Sequence, residues 1–197
     1  MKSWPTFDYV KVLRGAFSIT ECDDFIRLAR RTGLGSGEIG VARQCDIAWL
    51  PGPTTELVDR LAGLGRAKSQ FELRQSLSEE AAQISRYCVG GRYDWHMDLG
   101  AGSISLRKVT VVLELQSAFS GGGLEVFTIG NLALQPGDVA VFPSFIMHRA
   151  LPVASGERWS AALWLLGDEP LSVRILISYR LYYEQPNLLT SSCTEAM

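Results

Sequence analysis

The sequence predicts a mainly β fold, an antiparallel jelly roll (double-stranded β-helix) with N-terminal helices packed against it, on three observations. From about residue 81 the chain becomes a series of short apolar runs broken by glycine and proline, the texture of a sandwich or barrel. Before that point two stretches carry apolar residues at helical spacing. At 197 residues, 47% hydrophobic and 20% charged, the chain is long enough and apolar enough to bury one sizeable core.

The first helix is expected to start at Thr20 as N-cap, with Glu21, Asp23 and Asp24 in its first turn. Phe25, Ile26, Leu28 and Ala29 form its apolar face, and Arg30 and Arg31 precede the stop at Gly33, so its charges complement the helix dipole. A second helix is expected from Pro53 and Thr54, carrying Leu57, Val58, Leu61 and Leu64. GLGSGEIGVARQ between them reads as a loop; no strong strand precedes its glycines, so a phosphate-binding loop carries little weight. Strands are expected at 82–89, 93–98, 107–115, 123–128, 138–142, 158–166 and 172–182. Turn signals separate them: GGR at 90–92, SGGG at 120–123, QPGD at 135–138 and ASGE at 154–157. The organisation this implies is one domain over 1–197. It has a helical part to about residue 80, a jelly-roll core over about 81–182 and a frayed polar tail over about 185–197.

A net charge of −2, with no run of Lys or Arg, argues against a nucleic-acid partner or an anionic membrane surface. MKSWPTFDYV lacks the apolar centre of a signal peptide, and no segment approaches the roughly 18 apolar residues of a membrane span. Cys22, Cys45, Cys88 and Cys193 form no CxxC pair and read as reduced thiols of a cytoplasmic protein. The expected partner is a small molecule, an amino acid or a peptide.

In YDWHMDLG, strand alternation puts His96 and Asp98 on one face and Trp95 and Met97 on the other. An HxD pair alone is a common coincidence. Its weight comes from the count: the chain has two histidines, and the second, His148 in FPSFIMHRA, also falls at a strand end of the β region. Two imidazoles and a carboxylate on one face of a metal leave the opposite face open, the arrangement of non-haem Fe(II) oxygenases. Zinc takes the same donors, so the triad alone does not select iron.

Downstream, GERWSAALWLL places Arg158, Ser160, Ala162 and Trp164 on one strand face. A guanidinium fork beside a hydroxyl suits a carboxylate. If that face looks at the metal, Arg158 and Ser160 hold the distal carboxylate of a dicarboxylic acid whose 2-oxo acid end chelates the ion. Taken without His148, Arg158 is better explained as a surface arginine at a strand start. Tyr87, on the strand leading to the HxD turn, offers its phenol to cosubstrate or substrate, core packing being the plainer account. Tyr93 lies in the same region, with its facing left open by the turn.

Over about Ala82 to Leu166, less than half of the chain, the sequence resembles the Fe(II)/2-oxoglutarate-dependent dioxygenases of the prolyl-4-hydroxylase-like branch. The residues carrying this are Tyr87-Cys-Val-Gly-Gly-Arg-Tyr93-Asp-Trp-His96-Met-Asp98, Arg107-Lys-Val-Thr and Gly121-Gly-Gly-Leu-Glu-Val-Phe127. They continue through Pro136-Gly-Asp138, Phe142-Pro-Ser-Phe-Ile-Met-His148-Arg and Pro152-Val-Ala-Ser-Gly-Glu-Arg158-Trp-Ser160 to Trp164. The resemblance implies Fe(II) at His96, Asp98 and His148, and 2-oxoglutarate held by Arg158, with O2 as the second cosubstrate. It implies Ser160 and Tyr87 beside the cosubstrate and Trp164 as a pocket wall, with GGGLEVF as scaffold. The implied activity is hydroxylation of an unactivated C–H bond of an amino acid, small metabolite or peptidyl residue, with release of succinate and CO2. Related halogenases lack the carboxylate that Asp98 supplies, so hydroxylation is favoured.

One residue departs from the pattern. Thr110, Val112 and Glu114 share the inward face of their strand, and Glu114 stands where related hydroxylases often carry a tyrosine or neutral amide. A buried carboxylate must be paired or protonated. Glu114 either pairs with Arg158, binds a cationic substrate group, or faces solvent in a register shifted by one. Trp159, Arg107, Arg149 and the GLGSGEIG segment, as a lid, are candidate substrate contacts. With no peptide-binding domain visible, a free amino acid or small metabolite is the favoured substrate class. Two rival readings remain. A cupin-like metalloenzyme using another divalent metal needs no Arg158 and forms no succinate. In a non-catalytic jelly-roll binding or 2-oxoglutarate-sensing protein, removing the histidines abolishes no turnover.

Overall fold

A computed structural model describes residues 9–50, 56–69, 71–73, 81–116 and 118–171. The strand expected at 172–182, the helix start at Pro53 and Thr54, Cys193 and the tail from Gln185 lie outside the described residues. The chain runs β1 (Lys11–Leu13), α1 (Ile19–Thr32), β2 (Gly35–Ser36), β3 (Arg43–Gln44), β4 (Asp46–Leu50) and α2 (Glu56–Lys68). It continues β5 (Ala82–Tyr87), β6 (Arg92–His96), a 3-10 turn (Gly102–Leu106), β7 (Arg107–Glu114), β8 (Phe119–Gly121), β9 (Leu124–Val126) and β10 (Gly130–Asn131). The last elements are β11 (Val139–Pro143), β12 (His148–Ala150), β13 (Val153–Gly156) and β14 (Arg158–Leu166).

Ser18, not Thr20, caps α1. Its hydroxyl accepts from the Glu21 backbone N–H, and the Glu21 carboxylate accepts the Ser18 backbone N–H at 2.7 Å. This reciprocal box satisfies two donors, whereas Thr20 already lies within the helix. Cys22, Phe25, Ile26 and Ala29 form the buried face of α1, and Val58, Leu61, Ala62 and Gly65 that of α2.

A seven-stranded sheet runs β1-β11-β7-β14-β5-β4-β2, and a five-stranded sheet runs β10-β9-β12-β6-β3; β8 and β13 pair separately. The larger sheet is covered on both faces, which is why β7 and β14 are buried almost throughout. Val109, Val111 and Leu113 of β7 and Trp159, Ala161, Leu163 and Leu165 of β14 join the core under the helices. The alternate residues point into the space between the sheets. There Val112 meets Leu124, Val126 and Phe142. The register sets Ser160 against Glu114, Ala162 against Val112 and Trp164 against Thr110, so the two inward faces are adjacent.

The N-terminal part differs from the expectation in supplying strands as well as helices. β1 forms one edge of the larger sheet, β4 and β2 the other, and β3 joins the smaller sheet. Strands of two to five residues carry too little alternation to be read. ASGE is largely strand β13, while GGR does turn, with Gly91 N–H donating to Cys88 C=O at 2.7 Å.

The QPGD turn ties this N-terminal part to the barrel. Asp138 accepts from Gly15 N–H at 2.8 Å, Gln135 N–H at 2.9 Å and the Arg14 guanidinium at 2.6 Å. Gly137 has φ +88°, and a Cβ there would sit 2.0 Å from the Phe17 carbonyl oxygen. Gly137→Ala is therefore expected to cost about 2 kcal/mol or more, from backbone strain together with the clash. It should appear in urea unfolding as a lower midpoint at unchanged m.

Candidate functional site

The site lies between the sheets, and three separate elements bring its acid and two imidazoles together. His96 ends β6 and is the register partner of His148 on β12, so pairing alone sets their rings side by side, centroids 4.3 Å apart. The strand expected through residue 98 stops at His96, and Asp98 follows in a bend. Asp98 N–H donates to Ser144 C=O at 3.0 Å, and its Oδ2 accepts from Thr110 Oγ1 of β7 at 2.8 Å. Asp98 therefore faces the histidines through a pinned bend, not through strand alternation, while Trp95 and Met97 point outward and are exposed.

His96 Nε2 lies 3.7 Å from Asp98 Oδ1, and His148 Nε2 lies 3.4 Å from Asp98 Oδ2. The three ligating groups fall within 4.8 Å of one another. Each Nδ1 contacts a backbone carbonyl, Asp94 O at 2.7 Å and Ile146 O at 2.9 Å. A carbonyl only accepts, so Nδ1 carries the proton and the Nε2 lone pair is left toward the shared centre. Burial pushes the His96 pKa down to about 4, with His148 adding to the effect, so this imidazole is neutral at physiological pH. Burial works to raise Asp98. His148 and His96 outweigh it and, with Trp164 and Thr110, hold the carboxyl below its ordinary value. Two imidazole nitrogens and one carboxylate oxygen converging on a point fit a divalent transition metal. Tyr93 stacks on His96 at 3.5 Å and Phe142 sets its edge against His148 at 4.9 Å, fixing both rings.

A cavity of about 220 Å³ opens from the triad, and its walls include Arg158, Ser160, Tyr87, Trp164, Tyr93 and Arg107. Strand pairing sets Arg158 beside Tyr87 and Ser160 beside Ser85, while the Arg158 guanidinium lies 5.5 Å from the Tyr87 ring centre. Arg107 covers Trp164 at 3.9 Å and donates to the Asp98 carbonyl at 3.3 Å, bracing wall and ligand together. Arg158 is 2% exposed, and its Nε and Nη2 donate to Glu114 Oε2 at 3.1 and 2.8 Å. Of the three accounts open for Glu114, the structure contains the pair with Arg158. Glu114 was also expected to line the pocket; it does not, lying behind Arg158 instead.

Trp159 and Arg149 are corrected as substrate contacts. Trp159 is fully buried on the helix side of β14, with the guanidinium groups of Arg30 and Arg86 at 5.3 and 5.8 Å from its ring centre, because alternation turns it away from Arg158 and Ser160. Arg149 pairs with Glu125 at 2.5 Å over Trp95, outside the cavity. GLGSGEIG also stays clear of it. Among the cavity residues that sequence reasoning missed are Arg43, Trp49, Gln83 and Ser85. Counting back from Tyr87 by twos would have reached Ser85 and Gln83. Arg43, held by Gly37 C=O and lying 5.1 Å from the Tyr93 ring centre, sits on a two-residue strand that carries no readable signal.

Residues 82–166 match the 2OG-Fe(II) oxygenase superfamily. A PKHD-type hydroxylase of Synechococcus sp. (strain CC9605) is 32% identical over 88 residues, 42% of this chain and 40% of that one. Another from Methylobacterium nodulans is 36% identical over 92 residues, 41% of this chain and 40% of that one. The chain thus spans about two fifths of the length of the curated relatives it matches. The viral collagen prolyl hydroxylase of Paramecium Bursaria Chlorella virus-1 superposes with TM-score 0.66 at 23% identity, over 81% of this chain and 96% of that one. A Pseudomonas putida prolyl-4-hydroxylase superposes with TM-score 0.65 at 22% identity, over 82% of this chain and 94% of that one. Both are similar in fold.

Proposed function

We propose that this chain, a prolyl-4-hydroxylase-like 2OG-Fe(II) oxygenase over residues 82–166, hydroxylates an unactivated C–H bond of an amino acid, small metabolite or peptidyl residue. The observation that carries the reading is a single cavity with two imidazoles and a carboxylate at one end and a buried arginine in its wall. Neither half specifies the chemistry alone. Together they match the two ends of 2-oxoglutarate, a chelating 2-oxo acid and a distal carboxylate.

When bound, Fe(II) with 2-oxoglutarate and O2 supplies the oxidation, one oxygen atom entering the substrate C–H bond while the cosubstrate leaves as succinate and CO2. The protein supplies the geometry. His96 and His148 would hold the metal through Nε2, with their Nδ1 atoms set on backbone carbonyls. Asp98 balances charge at the centre, with Thr110 donating to the oxygen nearer His148. Arg158 takes the distal carboxylate, with the Ser160 hydroxyl and Tyr87 beside it. Trp164 and Tyr93 wall the cavity and keep water from the reacting bond. We read residues 1–197 as one domain acting in the cytoplasm on a small-molecule or peptidyl partner; Cys22, Cys45 and Cys88 are free thiols. No described helix is long and apolar enough to cross a membrane.

Anaerobic addition of Fe(II) and 2-oxoglutarate should produce the weak visible charge-transfer band of the chelate. The band should vanish when Asp98→Ala and His148→Ala are combined. Its absence from the native protein, or its survival in the double variant, would overturn the assignment.

A further inference from the structure

An arriving carboxylate finds the Arg158 charge already matched. Nε and Nη2 of the guanidinium both donate to Glu114 Oε2, the pair being 2% and 1% exposed at its side chains. Among the described residues Nη1 makes no hydrogen bond, which leaves it for a ligand in the cavity that Arg158 lines. A second carboxylate there would put two negative charges on one positive charge, away from solvent. Buried net charge of this kind is relieved by protonation far more cheaply than by solvation. Glu114 has an oxygen to receive that proton. Oε1 is buried and has no hydrogen-bond partner among the described residues, so a proton can settle on it while Oε2 keeps both bonds to Arg158.

Resting on the reading of the cavity as a 2-oxoglutarate site, we propose that Glu114 makes cosubstrate anchoring proton-coupled. As the distal carboxylate reaches Arg158, Glu114 passes from carboxylate to carboxylic acid, and one proton from solvent is bound with each 2-oxoglutarate. The surroundings of Glu114 favour this. Asp138, at the head of β11, adds negative potential, and the thiol of Cys22 on α1 meets Glu114 at its backbone carbonyl, at 3.8 Å. Arg158 on β14 is its cation, with Tyr87 of β5 set against the guanidinium. Burial lifts the Glu114 carboxyl to about 7 despite Arg158, within reach of ordinary buffers.

The sign follows. Below pH 7 Glu114 already carries its proton and binding needs none. Above pH 7 each binding event must take one up, and affinity falls about tenfold per pH unit. Calorimetric titration of 2-oxoglutarate into the anaerobic Fe(II)-loaded protein, in two buffers of different ionisation heat, counts these protons. Uptake should approach one per 2-oxoglutarate at pH 8 and fall toward none at pH 6. E114Q should show none at either pH and an affinity flat across the range. In the native protein at pH 8, the infrared difference spectrum on binding should gain the C=O band of a protonated carboxyl group, a readout that stands even if E114Q does not fold. Binding without proton uptake, uptake unchanged in E114Q, or no new C=O band overturns the proposal and leaves the cosubstrate site standing. Failure of 2-oxoglutarate to bind at all overturns the site reading, and the proposal with it.

Discussion

His148→Ala is expected to lower iron affinity and succinate formation at least about 100-fold while leaving the fold in place. Groups that merely orient a ligand are worth about 10–100-fold in metal affinity or activity, and a ligand itself is worth more. His148 is 5% exposed, paired in register with His96 and set 3.4 Å from Asp98, and among the described residues no further His, Cys, Asp or Glu joins this group. Its loss leaves two donors, and the Phe142 edge then faces a small void in place of an imidazole. Metal titration with a colorimetric chelator and a succinate assay measure the loss, and an unchanged far-UV spectrum separates it from unfolding. Activity within tenfold of the native protein would remove His148 from the centre.

Arg158→Ala is expected to have two effects of different kinds. The cosubstrate loses its anchor, so 2-oxoglutarate binding should weaken far more than iron binding; equal loss of both would make Arg158 structural. Glu114 also loses the one cation paired with it among the described residues. Breaking a buried pair by removing one member typically costs about 3–5 kcal/mol, because the other charge is stranded. Here the cost should depend on pH. Glu114 has a folded value raised from 4.5 to about 7, so the folded chain binds more protons than the unfolded one between those limits. This group therefore subtracts stability progressively as pH rises through that window, and the deficit is complete above pH 7. Without Arg158 it is deeper at pH 8 than at pH 6, where a neutral Glu114 needs no counter-ion. Urea unfolding of native and variant protein at both pH values measures it. A pH-independent loss would mean that Glu114 is not charged in the native pair.

How far these residues could be foreseen follows from how much chain each signal occupies. β14 and β7 are long, so alternation alone turned Arg158, Ser160, Ala162 and Trp164, with Thr110, Val112 and Glu114, toward one interior. His148 stood out because the chain has so few histidines. The capping box was also present in the sequence, as Ser18 and Glu21, two residues earlier than Thr20 suggested. The register partner of Glu114 was not legible, since alternation gives a face and not a neighbour. Asp98 shows the opposite case. Its facing was inferred from a strand that ends before it, and the bend that turns it inward depends on Ser144 and Thr110, remote in sequence. Arg43 and Trp49 reach the cavity from strands too short to have a period.

The borders of the larger sheet carry a consequence for any shortened form of the chain. The sheet ends in strands of three and two residues, β1 and β2, which offer few unpaired amides for another molecule to extend. Both come from outside the stretch 82–166 that carries the catalytic resemblance. Cutting the chain to that stretch would strip β1 from β11 and β4 from β5, uncovering two strand edges of five and six residues. The N-terminal part thus serves as the hem of the barrel: it supplies little of the chemistry, and it keeps one molecule from knitting onto the next.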